Sequence, residues 1–497
     1  MEDRVDRSHC KRAPENLGRV LVLGLGKSGR AVADYLVAAD KRIESLTVAA
    51  GARTASAEDA AASLASAGAE VLFDLDRIEG AFDLCIASPG IPEGSLLYRS
   101  AAQCSAEIIG EVEFAWRESA ADSRWVAITG TNGKTTVTAL VAHLLRAAGM
   151  NAKAVGNIGD TCLEAVAGGN TDVYVAEVSS YQLASTVRFA PQVAVLLNIT
   201  PDHLHWHGSL EAYRDAKLKI LSNLATVPES VAVLDATNDV VRAEVRRLRA
   251  LEPAQRGFSC VPLGTGAGVR GDMRAACGSE NAAFLGPDGW LHVAEGKCDR
   301  ALVPAESLLI KGEHNVSNAL AAATAALALG ADEASVAAGL RTFAPLEHRV
   351  EPCGSVCGAA CYNDSKATNV DATLKALAAF PEARPIVLLG GDDKGTDLAP
   401  LVAAAHEHAR AAVCFGAAGA RFADAFAAAS SEAPAGFPLL RADGLEAALD
   451  EALAVAHAGD VVLLSPACAS FDEFGSFEER GRAFKSLVAA RATALGA

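Results

Sequence analysis

The sequence predicts an α/β chain of three domains, Rossmann-like at both ends, with a mainly parallel, P-loop-type sheet between them. Three observations carry this. Short apolar strands alternate with helical segments, many of them Ala-rich, as in parallel sheets covered by helices. Hydrophobic residues make up 51% and aromatics only 5%, which suits helices on parallel strands better than a β-sandwich. A length of 497 residues leaves room for about two to four separate cores.

Residues 1–18 are polar and charged and read as an N-terminal extension. The first domain is expected over 19–119. Arg19 to Gly24 reads as a buried strand, followed by the turn Gly24-Leu25-Gly26-Lys27-Ser28-Gly29 and a helix to Val37. As a dinucleotide fingerprint this lacks its acidic residue. The second strand, Ser45 to Val48, runs into Ala49-Ala50-Gly51, which disfavours NAD and a nicotinamide-dependent oxidoreductase. Leu84 to Ala87 is a further strand, ending in Ser88-Pro89-Gly90. Glu118 to Ser123 reads as a polar linker.

The second domain, 120–345, opens with the most telling segment of the chain. A strand from Trp125 leads into Gly130-Thr131-Asn132-Gly133-Lys134-Thr135-Thr136 and then a helix. Such a turn points backbone N–H groups and a helix N-terminus at phosphate. Lys134 can reach the terminal phosphates and the Thr135 hydroxyl can ligate Mg²⁺. The common eight-residue form has Gly where this chain has Ile128. Further strands are expected at Asp172–Val178, Val193–Ile199 and Val231–Asp235, with short strands between Arg256 and Gly312 and helices at Val316–Leu329 and Ala334–Phe343. Glu177, at the end of its strand beside the phosphate loop, is a candidate Mg²⁺ ligand. His203, His205, His207 and Asp202 crowd another strand end, but their spacing does not fit a helical zinc pair. A metal-ligating and a structural role for His203 are evenly balanced. Lys217, in the next helix, reads on spacing alone as a surface lysine. Asn315 and Asn318 share one helix face, where they either cap the helix or bond an adenine.

The third domain, 346–497, repeats the strand–helix alternation, with strands at Pro385–Gly390, Ala412–Phe415 and Val461–Leu464. Its candidate residues stand at or near strand ends: His348 and Arg349; Asp364, Lys366 and Thr368; Lys394; Cys468 and Ser470. Together they suit a rim that receives carboxylates and phosphates.

The net charge of −17 argues against nucleic-acid binding. No apolar run reaches the length of a membrane span, and the 12 cysteines include no Cys-x-x-Cys pair, so a cytoplasmic chain with reduced thiols is expected.

Taken in order, GTNGKTT, EVSSYQL, NITPDHL, AYRDAK, HNVSN, EHR, NDSKATN, GGDDK and LSPACASFDEF resemble the motif series of the Mur ligases, ATP-dependent amide-forming enzymes of peptidoglycan precursor synthesis. SPGIP, NDSKATN and SPACASFDEF are similar to those of the member that adds D-glutamate. The resemblance implies an N-terminal domain for a UDP substrate, a central ATPase and a C-terminal domain for the amino acid. It implies ATP and two Mg²⁺ ions as cofactors, and UDP-N-acetylmuramoyl-L-alanine and D-glutamate as substrates of a monomer. ATP would be held by Gly130 to Thr136, Asn315, Asn318, Arg349 and Asp364. Thr135, Glu177, His203 and a carbamylated Lys217 would serve the metal. Lys366 would lie near the phosphates. Ser88, Gly90 and Asn157 would contact the UDP-linked substrate, and His348, Thr368, Lys394, Ser470 and Phe477 the amino acid. Two departures stand out: Ala49-Ala50-Gly51 where members often have Asp, and His205 where Asp is common.

Overall fold

The structure is a computed structural model that describes residues 14, 16–38, 42–264, 281–310, 312–380, 383–393, 395–429, 434 and 436–494. Most of the expected N-terminal extension and Lys394 lie outside these residues, as does the side chain of His205. The described residues form two compact units. The first holds the chain up to Leu308 together with Val316–Thr342, and the second holds Leu309–Asn315 and everything from Phe343.

The first unit contains two sheets. The smaller is wholly parallel: β1 (Gly18–Leu23), β2 (Ile43–Ala49), β3 (Glu70–Leu72), β4 (Leu84–Ala87) and β5 (Ile108–Gly110), in the order β3-β2-β1-β4-β5. Its order reverses between β1 and β4, so the crevice at their C-terminal ends is the natural ligand position. The larger sheet has β6 (Arg124–Thr129), β7 (Ala152–Gly156), β8 (Val173–Glu177), β9 (Val193–Leu196) and β10 (Val231–Asp235). It continues with β11 (Ser259–Gly264), β12 (Ala282–Leu285), β13 (Trp290–Glu295) and β14 (Cys298–Pro304). The order is β14-β13-β12-β11-β10-β9-β6-β8-β7. Pairing is parallel from β7 to β12 and antiparallel from β12 to β14. The Gly-rich stretch expected to form short strands supplies that antiparallel end. β6, an interior strand with β8 on one side and β9 on the other, carries the phosphate loop at its C-terminal end.

The segment expected to be a polar linker exposes Ala120, Ala121 and Asp122 but is packed at both ends. Glu118 ends the helix Glu111–Glu118 and takes a 2.5 Å hydrogen bond from Arg42 and another from Tyr35. Ser119 and Ser123 are buried. Ser123 donates to Ser119 Oγ at 3.1 Å, and so does Trp125 Nε1. Their polarity is satisfied inside the protein, not by water. One hydrophobic core therefore runs from Val20, Val22 and Ile86 of the first sheet through Phe114 and Trp116 to Trp125, Tyr174 and Ala194 of the second.

The second unit is a single sheet of β15 (Glu351–Val356), β16 (Ala359–Asn363), β17 (Ile386–Gly390), β18 (Ala411–Phe415), β19 (Leu439–Ala442) and β20 (Val461–Ala467). The order is β15-β16-β20-β17-β18-β19, parallel except for the β15–β16 hairpin. Apolar layers cover both faces, one built on Val387, Leu389 and Leu463 and the other on Ile386, Leu388 and Leu464. That is the period-2 alternation of a sheet buried on both sides.

Trp125 anchors the start of β6. It stacks on Tyr174 at 4.7 Å and meets Phe189 edge-on at 6.0 Å. We expect Trp125→Ala to destabilise the first unit by about 3–5 kcal/mol, the cost of emptying a large aromatic site. Chemical denaturation would measure this, and a loss under about 1 kcal/mol would contradict the anchoring role.

Candidate active site

The phosphate loop is fixed from three sides. Gly133 is the N-cap of the helix Lys134–Ala147 and has a left-handed φ of 87°. A Cβ there would lie 2.6 Å from Asn318 Oδ1 and 3.1 Å from Leu197 Cδ1, so only glycine combines that backbone with that contact. Asn198, just beyond β9, accepts from Asn132 N at 2.8 Å and returns a bond to Asn132 O at 3.1 Å. Thr131 Oγ1 lies 3.0 Å from the Tyr213 hydroxyl and accepts from Thr200 N at 3.0 Å. The Lys134 ammonium folds back on the loop, donating to the carbonyls of Gly130 and Thr131 at 3.0 and 2.9 Å. Thr135 and Thr136 follow it in the first turn, so backbone N–H groups and the positive end of the helix dipole face the loop.

Lys217 overturns its reading as a surface residue. In the helix Leu210–Leu218 its side chain is among the largest fully buried ones, at 1% exposure. The spacing of a short helix shows which residues share a face but not that the phosphate loop covers one. Lys217 Nζ donates to Gly130 O at 2.8 Å and lies 4.7 Å from the Tyr213 ring centroid. Burial, and then the nearby Lys134 charge, push its pKa well below the usual lysine range, while Asp202 and Glu177 act in the opposite direction.

Glu177 ends β8 and is buried. Its Oε1 accepts from Asn157 Nδ2 at 3.1 Å. Its Oε2 is buried with no hydrogen-bond partner among the described residues. An ionised carboxylate oxygen left so is costly unless a cation meets it. His203 sits in a left-handed conformation with φ 54°. Its ring lies 4.9 Å from that of Tyr181, and its Nε2 is 3.4 Å from Asp202 Oδ2. His207 serves elsewhere, bonding Ser180 Oγ at 2.9 Å. The hydroxyl of Thr135, the carboxylate of Glu177 and the imidazole of His203 are donors that suit Mg²⁺, with oxygen preferred. The ammonium of Lys217 is not a donor to a metal.

Of the residues expected to meet a UDP-linked substrate, Ser88 and Gly90 follow β4 beside the first glycine loop, where Ser88 N donates to Leu23 O at 2.8 Å. Asn157 belongs to the turn after β7, and Lys27 of the glycine loop donates to Gly159 O in that turn at 2.5 Å. The first unit therefore holds Ser88, Asn157, Glu177, His203, Lys217, Asn318 and the loop from Gly130 to Thr136, with Lys217 and Asn318 against that loop and Asn157 bonded to Glu177.

The second unit holds Asn315, His348, Arg349, Asp364, Lys366, Thr368, Ser470 and Phe477. Asp364 follows β16 and is buried. It accepts from Ser465 Oγ at 2.7 Å and Val350 N at 3.2 Å, yet burial pushes its pKa up to about 7. His348 is buried with φ 64°. Its Nδ1 lies 2.8 Å from Asn363 Nδ2, and Asn363 Oδ1 accepts from Ser365 N. The amide nitrogen thus faces the ring and His348 Nδ1 must accept, which leaves the proton on Nε2. A Cβ at Gly481 would lie 2.2 Å from that Nδ1. Lys366 N donates to His348 O at 3.1 Å, and its ammonium sits 3.6 Å from the Phe477 ring centroid. Ser470 is buried just beyond β20. Sequence reasoning missed Asn198, Tyr213, Asn363 and Arg480. Asn198 and Asn363 open the motifs NITPDHL and NDSKATN, which was signal enough.

A glycine-rich phosphate loop flanked by a buried carboxylate and a buried lysine defines a nucleotide-dependent enzyme, and likeness to known proteins gives its class. The profile of the Mur ligase middle domain matches residues 128–260, and that of the Mur ligase, glutamate ligase domain matches residues 348–468. The chain belongs to the Mur ligase family and is an ATP-dependent, amide-forming ligase. It is 36% identical over 474 residues to the UDP-N-acetylmuramoylalanine--D-glutamate ligase of Koribacter versatilis, covering 95% of this chain and 97% of that one. It is 37% identical over 479 residues to the ligase of the same description from Pelotomaculum thermopropionicum, covering 95% and 97%. Among solved structures, the UDP-N-acetylmuramate-alanine ligase of Thermotoga maritima aligns with a TM-score of 0.54 at 20% identity, covering 95% and 99%. A pseudomurein peptide ligase type C from Methanothermus fervidus aligns with a TM-score of 0.52 at 19% identity, covering 90% and 96%. These two show the shared α/β fold. Among the described residues, no helix is long and apolar enough to cross a membrane.

One titration in the second unit has a sign that can be tested. Burial, then Lys375 and Arg349, pull His314 down to about 4, with Asp371 acting against them. Below about 6.5 the unfolded chain takes up a proton that the fold refuses, so this residue's contribution is present above that pH and lost as pH falls toward 4. His314→Gln should therefore lose less stability than the wild type between pH 7 and about 5 by denaturant titration. Equal losses would contradict a half-buried His314 kept neutral by the fold.

Proposed function

We propose that the chain joins D-glutamate to UDP-N-acetylmuramoyl-L-alanine, with ATP giving ADP and phosphate, in peptidoglycan precursor synthesis. The observation that carries this is the near full-length likeness to two D-glutamate ligases, which spans both the phosphate-loop unit and the unit of His348 and Ser470. In this reading residues 19–119 take the UDP-linked substrate, 120–345 the ATP and 346–497 the amino acid, and the protein acts as a cytoplasmic monomer.

A carboxylate is a poor electrophile toward an amine. Its attack on the γ-phosphate gives an acyl phosphate, from which the amine of D-glutamate displaces phosphate. The N–H groups of Gly130 to Thr136 cradle the ATP phosphates, and Lys134 leaves the loop carbonyls to balance their charge. Asn315, Asn318, Arg349 and Asp364 hold the rest of the nucleotide, with Lys366 near the phosphates. Thr135, Glu177, His203 and Lys217 as its carbamate hold two Mg²⁺ ions, which supply charge neutralisation during phosphoryl transfer. Carbamylation needs a neutral amine. The depressed pKa of Lys217 and its burial beside a phosphate loop support it. The orphaned Oε2 of Glu177 supports the metal reading in the same way. Ser88, Gly90 and Asn157 contact the UDP-linked substrate. His348, Thr368, Lys394, Ser470 and Phe477 surround the amino acid.

Phosphate release from ATP should require both UDP-N-acetylmuramoyl-L-alanine and D-glutamate, with L-glutamate, L-alanine and diamino acids inactive. Release with one of those instead would keep the ligase and replace the amino acid. Lys217→Ala should lose at least about 100-fold in kcat, with partial recovery in a small carboxylate such as acetate. Failure of acetate at every concentration would remove the carbamate.

A further inference from the structure

Arg480 lies in the first turn of the helix Phe477–Ala494 at 1% exposure. Among the described residues its guanidinium hydrogen-bonds only to neutral groups. Nε donates to Ser365 Oγ and Nη2 to Ser365 O, both at 2.9 Å. Nη2 also donates to Cys468 O and Nη1 to Ala469 O, both at 3.0 Å. A third loop packs on the same group, since a Cβ at Gly391 would lie 3.0 Å from Nη1 and 2.3 Å from Ala469 O. The next residue, Asp392, exchanges backbone bonds with Ala469 at 2.9 and 3.0 Å.

The carboxylates that act on Arg480 through space have other hydrogen-bond partners. Asp472 accepts from Ala417 N at 3.0 Å and Glu473 from Leu445 N at 3.1 Å. Asp364 accepts from Ser465 and Val350. A buried arginine normally finds a carboxylate, because five donors and a full charge are costly to strip of water. Here the donors are satisfied by carbonyls and a hydroxyl, and among the described residues no carboxylate pairs with the charge. Burial lowers the pKa of Arg480 to about 10, which keeps it cationic at neutral pH.

We infer that Arg480 is a positioning residue for the amino-acid substrate, tying the loops after β16, β17 and β20 into one rim and lending that rim a positive charge for a dicarboxylate. The inference rests on the reading that Lys366, Thr368 and Ser470 receive D-glutamate. Arg480 holds the residue before Lys366 and the residue before Ser470, so its loss displaces both. Its charge favours an acceptor with an anionic side chain over a neutral isostere.

The test compares full-length Arg480→Gln and Arg480→Lys with the wild type. Arg480→Gln should raise KM for D-glutamate about tenfold or more, with KM for ATP changed less than about twofold. It should also narrow the preference for D-glutamate over D-glutamine. Arg480→Lys keeps the charge but not the fork, and should raise KM while retaining that preference. Parallel rises in KM for both substrates, or an unchanged preference in Arg480→Gln, would overturn the inference. If Arg480→Gln does not fold, Arg480→Lys decides: a KM for D-glutamate within about twofold of the wild type overturns it. A wild type inactive with D-glutamate would be a failure of the proposed function instead. The same variants would then be read on the amino acid it does use, with the same two outcomes.

Discussion

The amine of Lys217 has been taken out of water and set against a single backbone carbonyl, that of Gly130. An isolated ammonium in such a place is costly, and the neighbouring Lys134 makes it more so. Much of the phosphate-loop region is arranged around that amine. The loop carbonyl that receives Lys217 also receives Lys134. The Tyr213 ring that lies against Lys217 sends its hydroxyl to Thr131. Asp202 and Glu177, the acids that favour its charged form, lie in the segment after β9 and at the end of β8, on either side of β6.

The second unit solves a different problem with similar means. Its strand ends carry buried polar groups with few full ion pairs: Asp364 held by a hydroxyl and an N–H, Asn363 holding a neutral imidazole, Arg480 holding carbonyls. Hydrogen-bond networks of this kind fix loop geometry, because each partner has a direction as well as a distance. Under the proposed function, such stiffness serves the selection of a small, highly charged amino acid.

Much of this was legible in the residues. The strand–helix alternation gave the three sheets and their mainly parallel pairing, and the glycines around Lys134 gave the loop. The short strands β3, β5 and β7 escaped because three to five residues carry too little periodicity to stand out. The Glu118–Ser123 segment looked like a solvated linker because composition reports polarity and not where the hydrogen bonds go. Lys217 looked superficial for a related reason. Its own helix is polar in composition, and only the tertiary contact with Gly130 buries it. Arg480 was passed over because a charged residue in a polar helical stretch is usually on the surface.

Gly481 leaves the space that the His348 ring fills. The same geometry makes the two positions a single unit of inheritance. Any side chain at 481 would occupy the ring's place, so 481 can diversify only in a lineage that has already shortened 348. A library that randomises one of these positions alone will recover little beyond the parent, whereas paired randomisation opens a route that single steps cannot take.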